Sequence, residues 1–517
     1  MTLIFSKRKN IKTEAFMHHK NIMVIIRKQL KKQFPNWKKL KKKQKKDLAR
    51  MVLAEVTTGY DFTQHIDSPK EELLGIENQA PAKGILTLDQ MARRIAQGES
   101  GKILQFNKYK RSALHIKDEE LRCIDRLIDD EIINGLLSYD GYNPSLREIY
   151  PSNLFRAELL KAIKYPEISY RKFCTEQYFG LEQKQNRVFA GLSLSKKDMI
   201  DHTQLCQFRK SLTFVQQVNL LVYILHHFNR SGLLGNHIVH AIDSTELAND
   251  CALPLATLDI KGKKLRIYND LDCDCGKRRN KRDKSKFVIG YRLHTLTAIS
   301  VTTGFSYPLV SLLAPANHHD SHFLPFLVNL AQAMGIDIRL ITADEAYHDK
   351  DGSLFENTGV ILTTPPSAKV SLPEHVDGKT GSVFCHKECS FPMIHVGIEG
   401  QDHEYKCSVA ASACQHANTC PRHRFIPLDG GLFQRIPHHT DQVQKAHDIR
   451  KNCERSFNLL KNQTGLETVR VRSRQATMAR CTLSSISVLL IKIAGLRKKK
   501  ATNTKKQLPV IPNKKAA

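Results

Sequence analysis

The chain has 517 residues, with 80 Lys and Arg against 51 Asp and Glu and a formal charge of +29. So large an excess goes beyond solubility and points to a polyanionic partner, nucleic acid first, because neutralised phosphates release condensed counterions; charge alone leaves a basic protein with no particular partner as the alternative. At 41% hydrophobic and 7% aromatic residues the chain can bury ordinary cores, which excludes a chain disordered throughout, and its length suits roughly two to four domains.

In chain order, Met1 to Lys20 lacks the uninterrupted apolar stretch of a signal peptide. The longest apolar run, Ile486 to Leu496, is short for a membrane span and contains Lys492. The expectation is a cytoplasmic protein without a membrane partner, nucleoid-associated when bound to DNA. Residues 1–140 form a basic region of unassigned fold, where Lys42 and Lys43 stand amid Lys38, Lys39, Lys41, Lys45 and Lys46. That density suits phosphate contact and equally suits a solvated charged helix. Residues 141–235 read as a helical DNA-binding region, with Leu154, Leu159, Ile163 and Phe173 at three- and four-residue spacings. Asp201-His202-Thr203 ahead of Leu205 and Phe208 begins a helix, and a helix-turn-helix is weakly signalled there.

After Gly235 the texture changes. His237 to Ile242 is an apolar run closing at Asp243; Phe287 to Thr295 and Phe305 to Leu309 alternate, with a turn at Thr303-Gly304 between them. A helix over Ser321 to Met334 precedes a strand over Ile336 to Ala343, closing at Asp344, and another strand over Val360 to Thr364. Three strands, a helix and two strands, with a later helix bearing Glu454, predict an α/β fold: an RNase H-like mixed sheet with flanking helices. Its first part spans 236–364 and its C-terminal helices 440–496. Residues 365–439, rich in Pro, Gly, His and Cys, are too long for a plain connection and read as an insertion. Residues 497–517 read as a Lys-rich disordered tail.

Phosphoryl transfer on DNA uses two divalent cations about 4 Å apart, one for the attacking and one for the leaving oxygen. Hard cations take carboxylates, and three acids on separate elements suffice if the scaffold converges them. Asp243 and Asp344 would leave one sheet edge together if their strands are parallel neighbours. Taken singly, each Asp is as readily a turn former or a helix cap. In the helix near Ile449, His447, Arg450, Glu454 and Lys461 share one stripe at 100° per residue. Ile449, Cys453, Phe457 and Leu460 form the apolar stripe that seats the helix. Arg450 and Lys461 could then hold phosphates while Glu454 reaches a metal; a plain surface helix with an Arg-Glu pair is the alternative.

These residues resemble the DDE transposases of bacterial insertion sequences, in the group whose third carboxylate lies in a Tyr-x2-Arg-x3-Glu-x6-Lys signature. Arg450, Glu454 and Lys461 match that spacing, and His447 replaces the Tyr. Ala241-Ile242-Asp243-Ser244-Thr245, Gly290-Tyr291-Arg292-Leu293-His294, Pro315-Ala316-Asn317-His318-His319-Asp320 and Ala343-Asp344-Glu345-Ala346-Tyr347 recur in the family's order. Ser169 to Phe173 and Asp201 to Arg209 resemble its helical N-terminal region, so the likeness spans about Tyr150 to Leu489. The resemblance implies an enzyme with Asp243, Asp344 and Glu454 as catalytic ligands of two magnesium or manganese ions. It implies double-stranded DNA as partner, both the element's terminal inverted repeats and target DNA, and a homodimer on paired ends. Arg450, Lys461, His447, Arg292 and His294 read as DNA contacts. A nuclease that cuts without joining and a non-catalytic DNA-binding relic are the rival readings.

The insertion also has family precedent, as a contributor to DNA grip. It carries Cys385, Cys389, Cys407, Cys414 and Cys420, with His386, His403, His416 and His423 nearby. Four thiolates would suffice for a structural zinc site; unliganded reduced cysteines are the alternative these spacings leave.

Overall fold

A computed structural model describes residues 84–97, 115–138, 149–232, 238–249, 256–277, 287–365, 373–428 and 435–507, with short breaks inside several of these stretches. Lys42, Lys43 and His386 lie outside the described residues. The chain divides into two units. The smaller joins Met1–Asn78 to Leu253–Leu271; its described part includes an antiparallel hairpin of β2 (Ala256–Ile260) and β3 (Lys263–Ile267), with Leu258 opposite Leu265.

The larger unit begins with helices α1 (Leu88–Gln97), α2 (Glu119–Asp125), α3 (Asp130–Leu137) and α4 (Pro151–Lys164). Short helices α5 (Tyr170–Phe173), α6 (Glu176–Phe179) and α7 (Lys184–Phe189) lead to α8 (His202–Ser211) and α9 (Phe214–Arg230). The helix start expected at Asp201 is present: its side chain accepts the Thr203 N–H at 2.7 Å, and Gln204 closes a capping box. Two residues separate α8 from α9. Arg209, however, points inward onto Glu158 rather than outward. Buried charges here are paired, as burial demands: Arg156 is fully enclosed and bridges Asp125 at 2.7 Å and Asp130 at 2.6 Å.

A six-stranded mixed sheet follows, built from β1 (Ile238–Ala248), β4 (Asp274–Lys277), β5 (Phe287–Ser300), β6 (Ser306–Pro315), β7 (Leu340–Thr342) and β8 (Ile361–Thr363). Its path is β4-β5-β1-β7-β8, with β6 also paired to β5. The β1–β5, β5–β6 and β4–β5 pairs are antiparallel; β1–β7 and β7–β8 are parallel. Helix α10 (Leu324–Ala333) lies between β6 and β7, and α11 (Ser353–Thr358) between β7 and β8. The chain is thus mixed α/β, with helices flanking a mixed sheet. A smaller sheet, β11-β10-β9, comprises β9 (Ile394–Glu399), β10 (Asp402–Lys406) and β11 (His423–Pro427).

Three boundaries differ from the sequence reading. β1 does not stop at Asp243 but continues to Ala248, because every residue from Ile238 onward pairs with the long β5. β7 is only three residues, shorter than the run Ile336 to Ala343. The final helix, α14 (Arg474–Gln507), continues past residue 497 through ten Lys-rich and polar positions that composition had assigned to a disordered tail. Its segment Arg474–Gly495 is long and apolar enough to cross a membrane by length and composition, but 78% of the apolar window is buried inside the protein. It packs on α2, α4, α8, α9 and β6, as a central core helix does.

Candidate active site

Two helices carry the C-terminal candidates, α12 (Asp441–Arg450) and α13 (Cys453–Asn458), and both pack on β1. The apolar stripe acts as the sequence implies: Cys453 joins Ala241 and Ile299 in a buried cluster with Ile449 against it, and Phe457 and Leu460 are buried. The polar stripe is not continuous. The helical track tightens at Asn452, whose N–H reaches the Ile449 carbonyl at 3.0 Å, and then widens into a π turn over Leu459–Gln463. A π turn holds an extra residue, so angular phase slips and Lys461 leaves the line through Arg450 and Glu454. Lys461 instead stands 3.7 Å from Glu467.

Asp243 and Asp344 are brought together by strand pairing. β1 and β7 run parallel with His240 opposite Ile341 and Ala241 opposite Thr342. Two residues further along each chain stand Asp243 and Asp344. β7 ends at Thr342 while β1 continues, so Asp243 sits in mid-strand on one side and at an open edge on the other. The Asp243 side chain is one-fifth exposed. Burial pushes its carboxyl up to about 6, against the pull of the Ser244 N–H and Arg450, with Asp344 and Asp320 adding repulsion. Asp344 also caps the turn that follows it, accepting the Ala346 N–H at 2.9 Å. Glu454 is exposed, next in chain to the buried Cys453, whose thiol feels the charges of both Asp243 and Glu454.

The expected DNA contacts have mixed placements. Arg450 turns toward Asp243, Nη1 to Oδ2 at 3.5 Å. His447 sets Nδ1 3.3 Å from the Thr342 hydroxyl, against the end of β7. His294 is wholly enclosed and cannot touch DNA in this conformation; its ring stacks on Phe323 at 4.2 Å and its Nδ1 shares a hydrogen bond with the Tyr347 hydroxyl at 3.1 Å. Burial pushes that imidazole down to about 3, so it is neutral. Arg292 is also turned inward, bonding Asp320 at 2.9 Å and standing 3.8 Å from Glu246. Sequence reasoning gave no role to Asp320 or Tyr347. Asp320 is buried between Arg292 and His294, and Tyr347 lies within hydrogen-bond reach of Ser244, directly after Asp243. Both stand in the short runs Pro315–Asp320 and Ala343–Tyr347, which was the available signal.

Hard divalent cations take oxygen ligands, and the Asp243–Asp344 pair offers them in a place where a cation would offset the burial that holds Asp243 protonated. Among the described residues, no three His, Cys, Asp or Glu side chains are gathered closely enough to hold a metal ion. The pair thus offers oxygen ligands of the type a hard cation takes, and Glu454 does not close a cage with it in this conformation.

No protein-family model matches the sequence. No curated protein matches it. A solved structure of the piggyBac transposase synaptic complex with hairpin DNA aligns with 80% of this chain and 88% of that one, at 12% identity and a TM-score of 0.22. A superposition that loose bears on neither the fold nor the function of this chain.

Proposed function

We propose that this chain is a DNA transposase: it binds the terminal inverted repeats of a mobile element, cuts phosphodiesters at those ends and joins the freed 3′-hydroxyls to target DNA. The observation that supports the reading is the parallel pairing of β1 with β7, two residues past which stand Asp243 and Asp344, 101 positions apart in the chain. The resemblance of the Asp243, Asp344 and Glu454 segments to DDE transposases supplies the reaction class, and the +29 charge supplies the affinity for DNA.

Asp243 and Asp344, with Glu454 as third carboxylate, would hold magnesium or manganese, and such ions supply a water nucleophile near neutral pH and stabilise charge on the phosphoryl oxygens. The protein's own groups do the rest. Asp243 must lose its proton before it can serve, which happens above about pH 6. Arg450, already turned to this edge, offers a guanidinium fork to the scissile phosphate and holds it against the carboxylates. Tyr347, hydrogen-bonded to His294 and set against Ser244, would steady the strand next to Asp243. Element ends would be paired by a homodimer.

The test uses labelled DNA from the ends of the element that bounds the coding sequence. D243N, D344N and E454Q should each lower metal-dependent cleavage by at least about a thousand-fold while leaving binding of the same DNA unchanged. Cleavage retained in any of the three overturns the triad. Cutting without covalent joining to target DNA makes the chain a nuclease, and binding without cutting makes it a non-catalytic relic.

A further inference from the structure

The segment between β8 and α12 carries five cysteines that the cutting chemistry does not use. Its buried core among the described residues is five side chains, Val383, Cys385, Met393, Tyr405 and Ile426. Phe391, Ile394 and Phe425 of the same segment are half or more exposed, at 59%, 59% and 50%. A core that small does not hold a three-stranded sheet by burial alone, and segments of this kind need a covalent or metal staple.

The cysteines are placed to supply one. Cys389, Cys407 and Cys420 pack against the core that contains Cys385. A tetrahedral zinc takes four thiolates at about 2.3 Å each, the number that pack in and on this core. Pairing of β10 with β11 brings the remaining two chain segments together: the Cys407 N–H donates to the Arg422 carbonyl at 2.9 Å. The Arg422 N–H donates to Cys420 Sγ at 3.4 Å. Arg424 fixes the Cys385 carbonyl through Nε and Nη2, at 3.1 and 2.5 Å. All four cysteines are free of disulfides, and Cys414 is not among the side chains packed on this core. No three of these side chains are gathered closely enough among the described residues to hold a metal ion, so the sulfurs must still draw together around it.

We propose that Cys385, Cys389, Cys407 and Cys420 bind one zinc ion that staples the β9–β10–β11 sheet. The site is independent of the cutting chemistry. Metal content of the purified full-length chain, expressed with zinc and gel-filtered without chelator, tests it. Wild type and C414S should each retain one equivalent of zinc, and C385S and C420S should lose it. Serine variants can fail to fold, so a second measurement uses the wild-type chain: cobalt added after chelation should produce a sulfur-to-cobalt charge-transfer band and protect four thiols from alkylation. Wild type without zinc, zinc kept in C420S, no cobalt–sulfur band, or a disulfide joining any two of the four overturns the proposal.

Discussion

At the scale of single residues, Asp243 shows how placement sets chemistry. An aspartate with a carboxyl at about 6 is one whose protonated form the fold prefers, because burial outweighs the attraction of Arg450. Its folded value lies above the ordinary 3.8, so its stability contribution is full below about pH 4 and is lost as pH rises through about 6. D243N removes that dependence. With chelator present, the variant should therefore be more stable than wild type at pH 8 by about 3 kcal/mol, the gap closing toward pH 4. Thermal melts at several pH values read this directly, and a variant less stable than wild type at pH 8 would show that Arg450 outweighs burial. His294 and Arg292 teach the complementary point. Both are types that contact phosphates, yet one is sealed under Phe323 and the other bonds Asp320, so residue type alone misreads their role.

At the scale of elements, the long β1–β5 pair is the frame on which the shorter parallel strands hang. Gly290 marks where that pair ends: its φ is +154°, and a Cβ there would stand 2.2 Å from the Leu247 carbonyl oxygen and 2.8 Å from the Asn249 nitrogen. Both are backbone atoms and cannot swing aside, so G290A should destabilise the protein by about 2–4 kcal/mol. Urea unfolding checks the number, and hydrogen exchange should show the loss at Leu247 to Asn249 first. Much of the element pattern was legible in the sequence, because alternation in Phe287 to Thr295 and the apolar stripe Ile449, Cys453, Phe457 and Leu460 are local signals of burial on one face. The breaks were not. The π turn at Leu459–Gln463 and the extension of β1 past Asp243 follow from what each segment packs or pairs with, and no local periodicity encodes that.

At the scale of the whole molecule, charge is the dominant property. If 6–10 of its basic residues meet phosphates, raising salt from 50 to 200 mM should weaken DNA binding by about 10³- to 10⁵-fold. Fluorescence anisotropy with a labelled duplex measures it, and a fall of less than about tenfold would place the basic residues away from the DNA. The same excess is managed inside the helical layer by pairing: Arg156 with Asp125 and Asp130, and Arg209 with Glu158, are enclosed ion pairs spent on structure and unavailable to DNA.

The amino-acid sequence by itself determined the net charge, the mixture of helix and strand, the apolar faces and the three acids worth examining, since each depends on composition or on neighbours within a few turns. Only the tertiary structure decided that β1 lies beside β7, that Asp243 is mid-strand with one open edge, that Asp320 and Tyr347 underlie it, and that four cysteines share one small core. Those outcomes join residues tens to a hundred positions apart. Such proximity is chosen by the summed burial and pairing of whole elements, a quantity that no stretch of the chain carries alone.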